Sequence, residues 1–265
     1  MAQPVRCFTY LTTAKHGFSL VELSIVLVIL GLLTGGILAG QSLIKAAELR
    51  KVSGDATRFR SAVYTFRDKY FAIPGDMTNA SAFWGAADGT TGLTGACLTS
   101  ASAGTCNGNG DGQITGGPES YRFWQQLNLA GLLEGKYTGV PGASPVTNGA
   151  TYMTDDTIGT NLPKAPLNNA GYNIYYSYSD LAISYFSTRQ NVITMAPCCH
   201  ATNKTLEGGA LGAQDMWNID TKLDDGKPRS GFVQVYAAYV NCESSGAYLL
   251  TNTSNSCQAF FGMGF

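Results

Sequence analysis

Lys15-His16-Gly17-Phe18-Ser19-Leu20-Val21-Glu22-Leu23 leads into the longest apolar run of the chain. Glu22 is the single charged residue between Lys15 and Lys45, and residues 23–44 supply 22 positions without a charge. As a helix, that run reaches roughly 33 Å at about 1.5 Å per residue, enough to cross a bilayer core of about 30 Å. A cleaved secretory signal has an apolar core of only about 7–15 residues followed by a small-residue cleavage site. Here the run is longer, has no such stop and continues into helix-compatible sequence. Arg6 and Lys15 precede it, which by the positive-inside tendency leaves the N-terminus in the cytoplasm, although Lys45, Arg50 and Lys51 on the far side oppose that bias. A carboxylate within a span costs up to about 3 kcal/mol near the bilayer centre and less near the interface, so Glu22 needs a partner.

The quoted segment resembles the processing site of type IV prepilins and type II secretion pseudopilins, where a basic residue, Gly, Phe and Glu fall in register ahead of a long apolar helix. The resemblance implies that prepilin peptidase cuts between Gly17 and Phe18 and that Phe18 becomes the methylated N-terminus. It makes Glu22 the fifth mature residue, paired during assembly with the new α-amino group of a neighbouring subunit. It further implies other pilin or pseudopilin subunits, an inner-membrane assembly platform and membrane lipid as partners. The expected location is the inner membrane as a single-pass protein, its globular domain periplasmic or extracellular in a filament.

Beyond the span, Leu49, Val52, Ala56, Phe59, Val63, Phe66 and Tyr70 recur at spacings of three and four, with charged residues between them. That is one narrow apolar stripe on a helix. No proline lies between Phe18 and Tyr70, so one helix over 18–70 is predicted, with about 20–44 transmembrane. Many type IV pilins carry a proline midway through the apolar half; here Gly35, Gly36 and Gly40 stand there, each weakening a helix by about 1 kcal/mol relative to alanine. The predicted organisation is a leader over 1–17, the long helix over 18–70 and a pilin-like globular domain over 71–265. The expected fold class is α+β, the helix packed on an antiparallel β-sheet. Strand-like runs over 172–178, 182–187, 191–195 and 232–240 are rich in aromatic and β-branched residues, and short helices are predicted over 121–133 and around Met216, Ile219 and Leu223. Lys69-Tyr70, Ile73-Pro74-Gly75-Asp76, Phe83-Trp84-Gly85, an Asn/Asp/Gly loop, Phe123-Trp124-Gln125 and Asp224-Asp225-Gly226-Lys227-Pro228 together resemble a subgroup of bacterial prepilin-like proteins.

The globular region carries two further patterns. Cys7 lies in the leader, which leaves six cysteines for an oxidising compartment. Cys97 with Cys106, and Cys242 with Cys257, close short local loops; Cys198 and Cys199 are left as a vicinal pair, or exchange with one of the others. Cys198-Cys199-His200 lacks the second ligand pair that zinc usually takes. The run Asn107-Gly108-Asn109-Gly110-Asp111-Gly112-Gln113-Ile114 places oxygen side chains at alternate positions before a turn glycine and a carbonyl, as in the first half of an EF-hand-type loop. Asn107, Asn109, Asp111, the Gln113 carbonyl and Glu119 are therefore the expected ligands of a weakly held Ca2+. Glu119 falls one residue later than a twelve-residue loop requires, and the alternative is an Asn/Gly turn without an ion.

Composition narrows the functions. Charged residues are 13% against about 25% in typical globular proteins, and there are 32 glycines among 265 residues, a bias suited to an extracytoplasmic protein with long loops. Two histidines give no material for a site built on several imidazoles. Loss of Arg6 and Lys15 leaves 15 basic against 18 acidic residues, about −3, so no nucleic-acid partner is expected. The primary expectation is a structural subunit of a type IV pilus or type II secretion pseudopilus. A surface binding or adhesion module is the alternative, and an anchored enzyme using Asp224 and Asp225 the least supported.

Overall fold

The computed structural model describes residues 17, 19–87, 96–99, 104–143, 146–148, 152–167, 169–177, 189–199, 206–236 and 241–265. The leader before Gly17, Phe18, the expected strand over 182–187 and His200 lie outside the described residues, as does the end of the strand expected over 232–240. The chain divides into two compact units, with the boundary between Ala46 and Ala47. One helix, α1 (Leu20–Tyr70), belongs to both; Gly35, Gly36 and Gly40 do not interrupt it.

In the first unit the apolar side chains of α1 are exposed on every side. The helix is long and apolar enough to cross a membrane. All three hydroxyls between residues 23 and 44 bond to their own helix backbone: Ser24 to the Val21 carbonyl, Thr34 to Leu30 and Ser42 to Ala39, each at 2.8 Å. Such internal pairing is what an apolar solvent requires of a polar side chain.

The second unit is α+β. Short helices α2 (Ala80–Trp84) and α3 (Ala96–Thr99) follow α1, and then comes α4 (Pro118–Leu129). A two-stranded ribbon, β1 (Val146–Asn148) with β2 (Tyr152–Thr154), precedes the sheet strands β3 (Ala170–Ser177) and β4 (Gln190–Pro197). Helix α5 (Ala213–Leu223), strand β5 (Val233–Val235), the ribbon β6 (Glu243–Ser244) with β7 (Ala247–Tyr248), and β8 (Ala259–Gly262) complete the order. The four-stranded sheet runs β3-β4-β8-β5 and is antiparallel throughout, with Tyr172 opposite Met195 and Ile193 opposite Phe261.

The predicted stripe is the buried face of α1 within this unit. Val52, Ala56, Phe59, Val63 and Phe66 are at most 1% exposed. Phe59 meets Trp124 of α4 at 5.1 Å between ring centroids and Tyr172 of β3 at 4.9 Å, both edge-on. Alternation along the strands sends Tyr172, Ile174, Ile193, Met195 and Phe261 into this core, whereas Val192 and Phe260 form a second cluster with Tyr175 and Tyr236. Helix α1 ends at Phe71, whose φ of 53° breaks the helical path.

A buried carboxylate ties the layers together. Asp156 accepts the Tyr121 hydroxyl of α4 at 2.8 Å, the Asn173 amide of β3 and the Leu206 N–H at 2.7 Å. Burial nevertheless pushes its pKa up to about 6. Two outcomes follow for the detergent-solubilised chain under denaturant. Phe59→Ala loses about 3–5 kcal/mol, whereas Phe71→Ala, at a position 94% exposed, stays within about 0.5 kcal/mol of the parent. Because the folded-state pKa of Asp156 is raised, its contribution is fully present below the ordinary carboxylate range and is lost as pH rises through about 6. The stability difference between the parent and Asp156→Asn therefore moves against the parent by up to about 3 kcal/mol from pH 3.5 to pH 7.5, read as denaturation midpoints across pH.

Candidate functional site

The first unit holds the residues expected to serve processing and assembly. Gly17 is exposed, and two residues on, Ser19 opens α1. The Ser19 hydroxyl accepts the Val21 N–H at 3.2 Å, and Glu22 Oε2 accepts the Ser19 N–H at 2.8 Å. Ser19 thus caps the helix through the Val21 N–H, and Glu22 supplies the return half of a capping box, satisfying N–H groups that the first helical turn leaves open. Within the chain, Glu22 therefore has a local role in holding the helix start, apart from the intersubunit pairing that the resemblance implies. Its side chain also places negative charge at the helix N-terminus, where the dipole favours it. Phe18, the residue expected to follow the cut, lies outside the described residues.

In the second unit the Asn/Gly loop is folded around a residue absent from the sequence motif. Asp76, only 4% exposed, accepts the Gly110 N–H at 2.6 Å through Oδ1 and the Gly112 N–H at 2.9 Å through Oδ2. Asn109 Oδ1 accepts the Asp111 N–H, Asp111 Oδ1 accepts the Gln113 N–H, and the Asn109 amide donates to Asp111 Oδ2 at 3.0 Å. Asn107 points elsewhere in its bonding: its Oδ1 accepts the Ser81 N–H at 2.8 Å, in the first turn of α2. Glu119, in the first turn of α4 and 2% exposed, accepts both the N–H and the hydroxyl of Thr115 through Oε2. Its Oε1 is buried without a hydrogen-bond partner among the described residues.

The surrounding chain holds this arrangement from three sides. Gln126 of α4 accepts the Gly75 N–H and donates to the Cys106 carbonyl, so one side chain binds both segments that meet at the loop. Asn191 of β4 accepts the Ile114 N–H and donates to the Gly112 carbonyl. Two glycines are needed by close approach: a Cβ on Gly75 would lie 2.4 Å from the Glu119 carbonyl oxygen, and one on Gly108 would lie 2.3 Å from the Asp76 backbone. Burial raises the pKa of Asp76, an effect that the Gly112 and Gly110 N–H bonds oppose and the Asp111 charge reinforces. Burial likewise raises that of Glu119, opposed by its Thr115 bonds and reinforced by Asp76 and Asp111. Asp76, Asp111 and Glu119 thus share one electrostatic neighbourhood drawn from three stretches of chain, although their oxygens do not come within 4.8 Å of one another as a group.

The cysteines pair as Cys97–Cys106, Cys198–Cys199 and Cys242–Cys257. The first bond anchors the residue immediately before Asn107. Asp220, Asp224 and Asp225 bring carboxylate oxygens within 4.8 Å of one another, but these oxygens hold their own turn. Asp220 takes the Gly226 N–H and the Tyr248 hydroxyl, Asp224 the Phe232 and Val233 N–H groups, and Asp225 the Lys227 N–H and the Ser230 hydroxyl.

Residues 12–38 match the model of the prokaryotic N-terminal methylation motif. No curated protein and no solved structure shows a significant match to the chain. The motif covers the quoted Gly-Phe junction, the helix start at Ser19–Glu22 and most of the apolar run, and the fold behind it is a long N-terminal helix with an antiparallel four-stranded sheet. The chain thus carries the prepilin-type N-terminal methylation motif ahead of a pilin-like layout, a long helix with an antiparallel sheet.

Proposed function

We propose that prepilin peptidase cuts between Gly17 and Phe18, that Phe18 is methylated, and that the mature chain becomes a subunit of a type IV pilus or a type II secretion pseudopilus. The observation that carries this reading is the apolar surface of α1 between Leu20 and Ile44, exposed all round, with one charged side chain at its start. Such a surface needs lipid before assembly and other copies of the same helix afterwards. In both settings the backbone and hydroxyl groups are already satisfied within the helix. The partners are then pilin or pseudopilin subunits, the peptidase and an inner-membrane platform, with the second unit outside the cytoplasm. The Gly/Thr/Asn-rich insertion favours a minor or specialised subunit over a minimal major pilin. A structural role also accords with Asp224 and Asp225, whose oxygens secure a turn.

Co-expression with a prepilin peptidase tests the first step: intact-mass analysis should find a chain beginning at methylated Phe18. A chain that stays uncut, or starts elsewhere, rejects the reading. The role of the carboxylate is separable from that of the helix cap, because glutamine also completes a capping box. Glu22→Gln should be processed and membrane-held yet enter filaments on the order of tenfold less well, the effect of losing about 1.4 kcal/mol of pairing. If Glu22→Gln assembles normally while Glu22→Ala does not, capping rather than charge is what assembly needs.

A further inference from the structure

We propose that the face of the sheet opposite the α1 core carries a binding site for a neutral saccharide, with Tyr175, Tyr236 and Phe260 receiving the sugar ring and Ser120, Thr194 and Gln258 its hydroxyls.

The inference concerns the second unit alone and stands apart from the filament reading. Alternation along the strands makes the site. Tyr172, Ile174, Ile193, Met195 and Phe261 enter the core shared with α1, so Asn173, Thr194 and Phe260, neighbours across β3, β4 and β8, lie on the other face. Between that face, the start of α4 and Leu206 lies a cleft of about 290 Å³. It falls near the lower end of the roughly 300–1,000 Å³ of small-molecule sites, the scale of a small sugar.

The lining combines two chemistries. Phe260 meets Tyr175 at 6.0 Å and Tyr236 at 5.7 Å between ring centroids, both edge-on, which gathers three rings along the cleft. Beside them is a neutral polar base: Ser120, Thr194 and Gln258 line the same cleft and are buried. Gln258 Nε2 donates to Thr194 Oγ1 at 2.8 Å, so among the described residues the Thr194 hydroxyl hydrogen and Gln258 Oε1 are left without a hydrogen bond. The Ser120 hydroxyl donates to Asn173 Oδ1, which keeps its own lone pairs open. Asn173 is held in turn by the Asp156 carboxylate and the Ile174 N–H. The base is therefore fixed before a ligand arrives, which lowers the ordering cost of binding.

These features select the ligand. A purely apolar molecule would strip water from the open polar atoms and return no hydrogen bond. An anion meets no cationic side chain, and Glu207, the one charged residue lining the cleft among the described residues, repels it. A cation would use Glu207 and the rings, but it has no acceptor for the Thr194 hydrogen. A saccharide satisfies both parts of the lining. Its C–H faces lie against aromatic rings, and each of its hydroxyls can donate and accept, as a base with one open donor and two kinds of open acceptor requires.

The test uses the full-length chain in a detergent without a sugar headgroup. The methyl glycosides of glucose, galactose, mannose and N-acetylglucosamine are the probes, with choline, N-acetylneuraminic acid and toluene as counter-probes. Binding is read by saturation-transfer NMR and isothermal titration, and folding by thermal melting. At least one glycoside should bind once per chain with a Kd in the millimolar range or tighter, its ring C–H protons receiving the strongest saturation. Tyr236→Ala and Gln258→Leu should each weaken it at least about tenfold, whereas Glu207→Gln should stay within about twofold of the parent. Failure of all these glycosides to bind overturns the proposal, as does binding that Tyr236→Ala and Gln258→Leu leave unchanged. Choline binding that Glu207→Gln abolishes, or binding of toluene or N-acetylneuraminic acid in place of the glycosides, assigns the cleft to another chemistry and overturns it too. Should Gln258→Leu fail to fold, Tyr236→Ala and Ser120→Ala decide, each expected to show the same tenfold loss.

Discussion

Phe59 touches Trp124 on one side and Tyr172 on the other, and the layering of the second unit depends on that insertion. The three rings belong to α1, α4 and β3, so one aromatic side chain is common to both helices and the sheet. Edge-on ring pairs prefer a limited set of angles and distances, each worth about 0.5–1.5 kcal/mol beyond the area they bury. Val52, Ala56, Val63 and Phe66 extend the same line of contact along α1, and their spacing of four and three keeps them on one face. Asn191 of β4 ties the loop region to the sheet, and Gln126 of α4 ties it to the turn after α1.

The parts of the fold that follow from local pattern were legible in the sequence. The α1 stripe, the strands within 172–178 and 191–195, and the helix near Met216 all show a clear period and appear within a few residues of the expected bounds. Strand β8 was missed because Ala259–Gly262 is a short apolar run with no alternation, buried on both faces between β4 and β5. Helix α4 reads as amphipathic, yet nearly all of it is buried, Arg122 included. That guanidinium donates to Gln125 and to the Cys97 carbonyl, and burial lowers its pKa to about 10. No sequence period signals a buried arginine, because its partners are a neighbour on its own helix and a carbonyl 25 residues away.

The loop site divides the same way. Asn109, Asp111 and Glu119 are visible as a spaced set of oxygens, and the structure gathers Asp111 and Glu119 into one electrostatic neighbourhood. Asp76 was not visible as a member, since it lies 31 residues before Asn107 and its surroundings, Ile73-Pro74-Gly75, read only as a helix stop. What brings it in is tertiary: Gln126 fixes Gly75, and the missing side chain of Gly108 lets the loop pass against the Asp76 backbone. Contacts made by the absence of a Cβ leave almost no trace in composition.

The hydroxyls of Ser24, Thr34 and Ser42, turned onto their own backbone, have a consequence for how copies of α1 can meet. With its hydroxyls so committed, the helix offers neighbours along this stretch chiefly dispersion contacts, which carry little angular preference. Spin about the long axis and sliding along it are then weakly penalised, as for a greased rod in a sheath. In the proposed filament, azimuth and depth would then fall to the polar side chains, Glu22 at the tip and Gln41 within the run, while the large apolar surface provides cohesion.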